Sequence, residues 1–197
     1  MAGELTKEHV FVISEILIHI EDLERRIATL FRELVTKLEP YKPMLRAMET
    51  IPGIDRMAAA MLLVEFGNDM TALGTAEKLA SWVGVCPGNH ESAGKRVSGK
   101  KRKGNPYVRR TLCEIANSAS RTRCAFQEKF KSLLVRRGRK RAIFALAHKI
   151  LKIIFVLLSR GDYYRDAATN YEKLTVERNA PRWMKMLKKY GYITVAA

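Results

Sequence analysis

A single serine lies in a short turn of small residues, just before a dense run of cations. Ser92 is followed by Ala93 and Gly94, and then by Lys95 and Arg96. A serine hydroxyl must be activated before it can act as a nucleophile. Attack on a phosphodiester depends mainly on positioning and on cations that stabilise the added negative charge. The stretch therefore predicts a site that handles phosphodiesters, with Ser92 as the candidate nucleophile.

Further cations continue from this turn into the start of a helix. Asn105 and Pro106 are typical of a helix start, with Asn as the N-cap and Pro at the first helical position. Arg109 and Arg110 lie in the first turns, where positive charge opposes the helix dipole, so we infer that they hold phosphate. The residues of this region predicted to contact nucleic acid are Gly94, Lys95, Arg96, Lys100, Lys101, Arg102, Lys103, Asn105, Arg109 and Arg110.

The residues alone leave two roles open for Ser92. It is either an activated nucleophile or a polar residue of a Gly-rich turn that binds phosphate, and the second role is the more common one for a loop serine. No general base is evident in the sequence, and His90, two positions away, is the candidate nearest to Ser92. The spacing of these residues therefore predicts a phosphate-binding site, but it does not decide whether Ser92 acts there as a nucleophile.

The charge of the chain is concentrated in one region. The protein has 197 residues, a net charge of +16 and an isoelectric point near 10.0. Residues 95–141 contain 17 Lys or Arg against two acids, Glu114 and Glu128, which gives a net +15. A solvated basic surface is one interpretation, but solubility alone needs only a modest net charge. The block is typical of a protein with a polyanionic partner.

Cysteine and histidine positions exclude several classes of function. Cys86, Cys113 and Cys124 form no CxxC pair, and their odd number indicates a reducing compartment. The four histidines are scattered, so the sequence predicts no metal site in this chain. The N-terminus has no signal-peptide pattern, and the apolar run over 142–158 contains one His and two Lys, as in a buried core helix. We therefore expect a cytoplasmic, nucleoid-associated protein with no membrane partner.

The first part of the chain, residues 5–38, has one long helical pattern without Gly or Pro. Apolar residues recur in two heptad seams, and their residue types favour a parallel two-stranded coiled coil. Extra apolar residues widen the stripe, so a helix packed on its own domain is the alternative. We predict a homodimer or higher oligomer. The seams are Ile13, Ile20, Ile27 and Leu34, and Ile16, Leu23 and Leu30.

A second predicted contact lies at a tight turn between two helices. Gly53 and Ile54 precede a helical run over 56–66, as in half of a helix-hairpin-helix, where backbone N–H groups meet a DNA phosphate. Asp55 replaces the second Gly of the usual Gly-apolar-Gly turn. Its charge repels phosphate, and it can cap the following helix instead. An ordinary turn between core helices is an equal alternative, and Gly53 and Ile54 complete the predicted nucleic-acid contacts.

The remaining pattern is also helical, so the predicted fold class is all-α with no sheet. Residues 84–105 contain five Gly and are predicted as a long loop, which in a compact domain is usually either functional or disordered. Further helices are predicted over 75–83, 105–121, 125–136 and 139–160.

Three regions follow from this pattern. Residues 1–45 are predicted to form the coiled-coil dimerisation helix. Residues 46–162 form a compact helical domain that contains the helix-hairpin-helix-like unit. Residues 163–197 form a basic tail with a helix near 181–190.

Several pieces of the chain, in their order, together resemble a known family. About residues 46–165 look like the C-terminal domain of the IS-one-ten family of insertion-sequence transposases, the DEDD-type recombinases related to the Piv invertases. Each piece is short, but the ordered set is specific. The pieces are Ile51 to Ile54, then Ala59, Glu65 and Gly67, then Leu79 to Gly84, then Pro87, Ser92 to Lys95, Lys103 to Asn105, and Arg109 with Arg110.

Two departures from the family pattern affect the loop. Ala93 stands where Gly is usual after the serine. Lys100 and Lys101 stand where an apolar and a small residue are more typical. Both changes bear on the geometry of the loop around Ser92.

The resemblance implies a two-part enzyme. Ser92 falls on the position of the family's catalytic serine. Family members also carry an N-terminal RuvC-like domain whose four acids hold divalent metal, so Mg²⁺ is expected only there and no cofactor is expected in this chain. A structured guide RNA pairs donor and target DNA in this family. The present sequence begins at the coiled coil, so we expect it to lack the RuvC-like domain and to be inactive alone.

Three functions remain as hypotheses. The leading one is the serine-bearing, DNA-binding portion of a transposase, with double-stranded DNA and a guide RNA as partners. The alternative is a non-catalytic nucleic-acid-binding module, either a truncated remnant or a regulator. A weaker third is a structured-RNA-binding protein without a link to recombination.

Overall fold

The computed structural model describes residues 5–86, 90–92, 95–98, 103–166 and 171–193. These residues are helical apart from loops and one short hairpin, which confirms the predicted all-α class. The chain divides into two compact units, Met1–Lys42 and Pro43–Ala197. The helices are α1 (Lys7–Lys37), α2 (Lys42–Glu49), α3 (Arg56–Phe66), α4 (Ala76–Val83), α5 (Pro106–Ala119), α6 (Ala125–Arg137), α7 (Arg139–Arg160) and α8 (Tyr171–Lys189).

The first unit consists of α1 and a short 3-10 turn, Glu39–Tyr41. A capping box starts α1: the Thr6 hydroxyl accepts from the His9 backbone N–H, and His9 Nδ1 accepts from the Thr6 backbone N–H, both at 3.4 Å. The predicted helix over 5–38 is confirmed. None of its 31 residues is buried.

Helix starts in the second unit follow the caps that the sequence suggests. Asp55 Oδ1 accepts from the Ala58 N–H at 2.7 Å, so this carboxylate caps α3. The Thr75 hydroxyl accepts from the Lys78 N–H at 3.2 Å at the start of α4. Each side chain satisfies a donor that a helix N-terminus would leave unpaired.

The centre of the second unit is α7, which packs against α4, α5 and α6. Leu146, Ile150 and Ile154 are fully buried, together with Leu112 of α5 and Leu79 of α4. By length and composition α7 could also span a membrane, with 39% of its most apolar window buried inside the protein. The buried face of α7 agrees with the prediction that the apolar run over 142–158 forms a core helix.

The chain after α7 returns to the helical unit. Asp166 accepts from the Ala125 N–H with both carboxylate oxygens at 3.2 Å, and so caps α6 from a distant part of the sequence. The Tyr164 ring stacks on Phe126, with centroids 5.3 Å apart. The Tyr164 N–H donates to the Thr50 hydroxyl at 2.9 Å. These contacts tie residues 163–166, predicted as the start of a tail, to the second unit.

Two predictions about secondary structure are wrong. The region predicted as a loop contains a hairpin, β1 (His90–Ser92) and β2 (Lys95–Ser98). Its short strands have few β-branched or aromatic residues, so propensity gives little signal. The C-terminal helix begins at Tyr171, well before the predicted start, and continues through Pro181. Packing of α8 against α6 supports a helix that proline alone would disfavour.

Candidate nucleic-acid interface

The segment that carries Ser92 leaves and re-enters the helical unit at one point. Gly84 ends α4, and Gly104 lies so close to this end that an added Cβ would meet the Val83 and Gly84 backbone at 2.5 Å. The Asn105 N–H donates to the Trp82 carbonyl at 3.2 Å. The two ends of this segment, at Gly84 and Gly104, therefore form a closed stem, and only glycine fits at position 104.

The side chain of Asn105 locks this stem to two helices. Its Oδ1 accepts from the Tyr107 and Val108 N–H groups at 3.0 and 3.2 Å, which caps α5. Its Nδ2 donates to Glu65 Oε2 of α3 at 2.7 Å. The predicted N-cap is confirmed. The structure shows Asn105 as a positioning residue, and its predicted contact with nucleic acid stays a prediction.

Ser92 is the last residue of β1. The antiparallel register pairs Ser92 with Lys95 and Glu91 with Arg96, with an irregularity next to His90. Residues opposite each other in such a ladder have Cα atoms about 4.5–5.5 Å apart. Pairing therefore brings the backbone of the candidate nucleophile next to that of the first predicted cation.

Four of the predicted contact residues, Gly94, Lys100, Lys101 and Arg102, lie outside the described residues. Lys103 is exposed beside the stem, and Arg110 is exposed in the first turns of α5. Arg109, its neighbour, is half-buried. The stem thus lies beside cations of α5.

The turn at Gly53 packs closely against α5. Gly53 has φ +92°, and an added Cβ would meet the Ile115 carbonyl oxygen at 2.7 Å and the Ala119 nitrogen at 2.8 Å, both in α5. Ile54 is buried, and its N–H donates to the Ile51 carbonyl at 3.1 Å. This geometry fits the ordinary turn between core helices. The predicted contact of Gly53 and Ile54 with DNA stays a prediction.

A second group of exposed cations surrounds the junction of α6 and α7 at Gly138. Arg139 donates to Asn117 Oδ1, a neutral acceptor, at 3.0 Å. Lys131, two turns before the junction, forms an ion pair with Glu128 at 3.6 Å. The exposed cations at the junction are Arg136, Arg137, Arg139, Lys140 and Arg141.

An open pocket of about 730 Å³ lies at the stem. Four of its residues have no role that their sequence positions predict. Glu65, Ser81 and Trp82 occur in the family pattern but carried no assigned chemistry, and Tyr107 gave no signal of its own. The pocket is lined by Glu65, Ser81, Trp82, Lys103, Gly104, Asn105, Pro106 and Tyr107.

Two titratable groups with shifted pKa lie on the far side of α4, at its contact with α7. Burial lowers the pKa of His148, and the charge of Lys152 lowers it further, against an opposing effect of Glu77. The hydrogen bond from Lys152 lowers the pKa of Glu77. This cluster joins α4 to α7 and therefore supports the core.

Within the part of the chain that the structure describes, no three His, Cys, Asp or Glu side chains form a metal-binding group. Cys86, Cys113 and Cys124 are half-buried. The described residues therefore do not fit a divalent metal site, and the Mg²⁺ expectation for a separate domain stays a prediction.

The helical unit carries a closed stem and many exposed cations, a surface that is typical of proteins with a polyanionic partner. Within it, residues 45–131 match the model of the IS116/IS110/IS902 transposase family. This match runs from within α2 to within α6 and includes Ser92, the stem and the pocket.

Two curated transposases are similar to the chain over a wider range. A protein of Pseudomonas aeruginosa named "Probable family 20 transposase" is 29% identical over 160 residues, which is 78% of this chain and 46% of the relative. The transposase for insertion sequence element IS1111A of Coxiella burnetii is 29% identical over 164 residues, 74% of this chain and 45% of the relative. The chain thus spans less than half the length of these relatives.

Proposed function

We propose that this chain is the serine-bearing portion of an RNA-guided DNA transposase, with Ser92 as the nucleophile that attacks a DNA phosphodiester. The observation that carries the proposal is the closed stem. It joins the two ends of the segment that carries Ser92, inside the range that matches the transposase family and at the start of α5. A nucleophile needs such fixed positioning more than a general binding surface does.

The proposed step forms one bond and breaks another. The Ser92 hydroxyl loses its proton to a base, for which His90 in the same strand is the candidate in this chain. The serine oxygen forms a bond to phosphorus, and the bond from phosphorus to the oxygen of the leaving strand breaks. That oxygen takes up a proton, and the DNA end stays attached to Ser92 as a phosphoserine ester.

Cations have two roles in this proposal. Lys95 and Arg96 follow the serine directly, and the pairing of Ser92 with Lys95 supports a role for Lys95 at the phosphate itself. Lys103, Arg109 and Arg110 extend positive charge from the stem along α5, where they hold neighbouring phosphates of the DNA. Phosphate binding by these groups stabilises the charge that develops at phosphorus.

Assembly through α1 belongs to the same proposal. The apolar side chains of both heptad seams are exposed or half-buried in the single chain. A parallel coiled coil with a second copy buries them and brings two Ser92 hairpins into one complex. The proposed location is the bacterial cytoplasm, at the nucleoid.

A second candidate function is a binding module without chemistry. The exposed cations around Gly138 favour it, because they lie in helices rather than in the Ser92 hairpin and suffice for phosphate contacts. In this alternative the chain occupies DNA or guide RNA, and the hydroxyl of Ser92 has no role.

Covalent trapping separates the two functions. The chain is mixed with Mg²⁺, a family RuvC-like domain, guide RNA and end-labelled junction DNA, and run on a denaturing gel. Ser98→Ala is the matched control, because Ser98 lies in the other strand of the same hairpin. We expect a protein–DNA adduct with the wild type and with Ser98→Ala but not with Ser92→Ala. Equal DNA binding by all three proteins, with no adduct in any, would favour the binding module.

A further inference from the structure

The pocket at the stem combines flat aromatic surface with hydrogen-bonding groups. Trp82 is 44% exposed and Tyr107 is 66% exposed, although large aromatic side chains are usually buried. Both line the same opening, with Lys103 at its side. Exposed aromatic rings beside a cation are the usual elements of a surface that stacks unpaired bases.

Contacts with Phe66 and Asn105 hold Trp82 in place. Its ring packs edge-on against Phe66, with centroids 6.5 Å apart and planes at 65°, and Phe66 is buried. The Trp82 carbonyl accepts the Asn105 N–H that closes the stem. An indole fixed in this way offers a stacking face without the entropic cost of ordering a mobile side chain.

Glu65 gives the pocket a preference among bases. Its Oε2 accepts from Asn105 Nδ2, which fixes the orientation of the carboxylate at the edge of the pocket. Carboxylate oxygens accept hydrogen bonds from exocyclic amino groups, which cytosine, adenine and guanine have and thymine does not. Repulsion between this carboxylate and phosphate keeps the backbone on the side of Lys103.

We propose that this pocket binds one unpaired base of DNA, stacked on Trp82 and hydrogen-bonded through its amino group to Glu65. The base must be unpaired because a duplex hides the faces of its bases. DNA is the occupant because the segment matches a transposase family and the surrounding surface is strongly basic. The inference rests on the proposed interaction with DNA and adds an extrahelical base at the Ser92 stem as its specific ligand.

Tryptophan fluorescence provides a direct probe, because the chain has two tryptophans, Trp82 and Trp183. In the Trp183→Phe variant, only Trp82 reports. We expect its emission to be quenched by a duplex with one bulged cytosine and to change little with the fully paired duplex. The same bulged duplex should leave the emission of a Trp82→Phe variant, in which Trp183 alone reports, nearly unchanged.

Affinity measurements test the energetic role of the ring. Trp82→Leu keeps an apolar contact with Phe66 but removes stacking, so it should bind the bulged duplex about tenfold more weakly and the paired duplex as the wild type does. Trp82→Phe should restore most of the loss, and Trp183→Leu is the matched control. A bulged thymine should bind about fivefold more weakly than a bulged cytosine.

The outcomes separate this inference from the proposed function. If every variant binds paired DNA but the bulge adds no affinity and no quenching, the base pocket is wrong and DNA binding stands. If no variant binds either DNA while circular dichroism shows folded protein, the proposed function fails. A bulged RNA that binds more tightly than bulged DNA would overturn DNA as the occupant.

Discussion

In α7, Leu146, Ile150 and Leu151 are fully buried, whereas Ile20 and Leu23 of α1 each keep 44% of their surface exposed. Both helices are long and rich in apolar residues, with 22 and 31 residues. Helix α7 packs against α4, α5 and α6 within the second unit. An apolar stripe therefore shows that a helix needs a partner, and its spacing indicates which kind of partner that is.

The two spacings suit partners of different shape. A seam that repeats every seven residues, the spacing found in α1, can keep facing one other helix that winds around it. The apolar residues of α7 cover a broader face, which suits packing against several helices at once. Three substitutions test this contrast, beginning with the largest expected effect.

Truncation of a core side chain in α7 should have the largest effect. Leu151 is fully buried, so Leu151→Ala should lower the free energy of unfolding by about 2–5 kcal/mol. Urea denaturation followed by circular dichroism measures this. Val156→Ala, on an exposed position of the same helix, should change it by less than about 0.5 kcal/mol. Equal losses for both variants would show that α7 is not a core helix.

A charge in the heptad seam of α1 should act on assembly. Ile20→Asp removes about 1.5–3 kcal/mol of apolar burial per chain from a coiled coil and adds an unpaired carboxylate. Light scattering at micromolar concentration should show a dimer for the wild type and a monomer for this variant. Thr29→Asp, outside both seams of α1, should remain dimeric. A wild-type protein that is monomeric would remove the contrast between α1 and α7.

The half-buried His148 of α7 should give the smallest of the three effects. It should appear in the pH dependence of the free energy of unfolding. Burial lowers the pKa of His148 below its ordinary value of 6.5, so the unfolded chain binds a proton there more readily than the folded one. Stability should therefore fall as the pH drops below about 6.5, and this contribution should level off below the folded-state pKa.

Denaturation midpoints between pH 4.5 and 7.5 test the role of His148. The His148→Gln variant should show a weaker decline in this range than the wild type does. His19→Gln, at an exposed position of α1, is the matched control and should retain the wild-type slope. Unchanged slopes in both variants would assign the pH dependence to other groups.

The sequence predicted the helical elements well because their signals are local. Asp55, Thr75 and Asn105 cap helices within three residues of their own positions, and Gly138 separates α6 from α7. The heptads predicted α1 for the same reason. The hairpin of Ser92 was missed because its strands are short and polar, and α8 was predicted too short because Pro181 suggested a helix start.

The candidate site was predicted only in part. Ser92 and the cations could be named from residue types, and the resemblance gave the serine its proposed role. Glu65, Trp82 and Tyr107 could not be assigned, because their common pocket depends on α3, α4 and α5 meeting at the stem. The capping of α6 by Asp166 could not be predicted either, because Asp166 lies 41 residues from Ala125, whose N–H donates to it.

The sequence by itself determined the helices, their caps, the concentration of positive charge and the resemblance to transposases. These properties depend on neighbours within a few residues or on composition, so no folded structure is needed to find them. Only the tertiary structure decided that Gly104 closes a stem against α4, that Asn105 joins it to Glu65, and that Trp82 is fixed at an open pocket. Each of these is a contact between residues distant in sequence, and such contacts exist only once the helices pack.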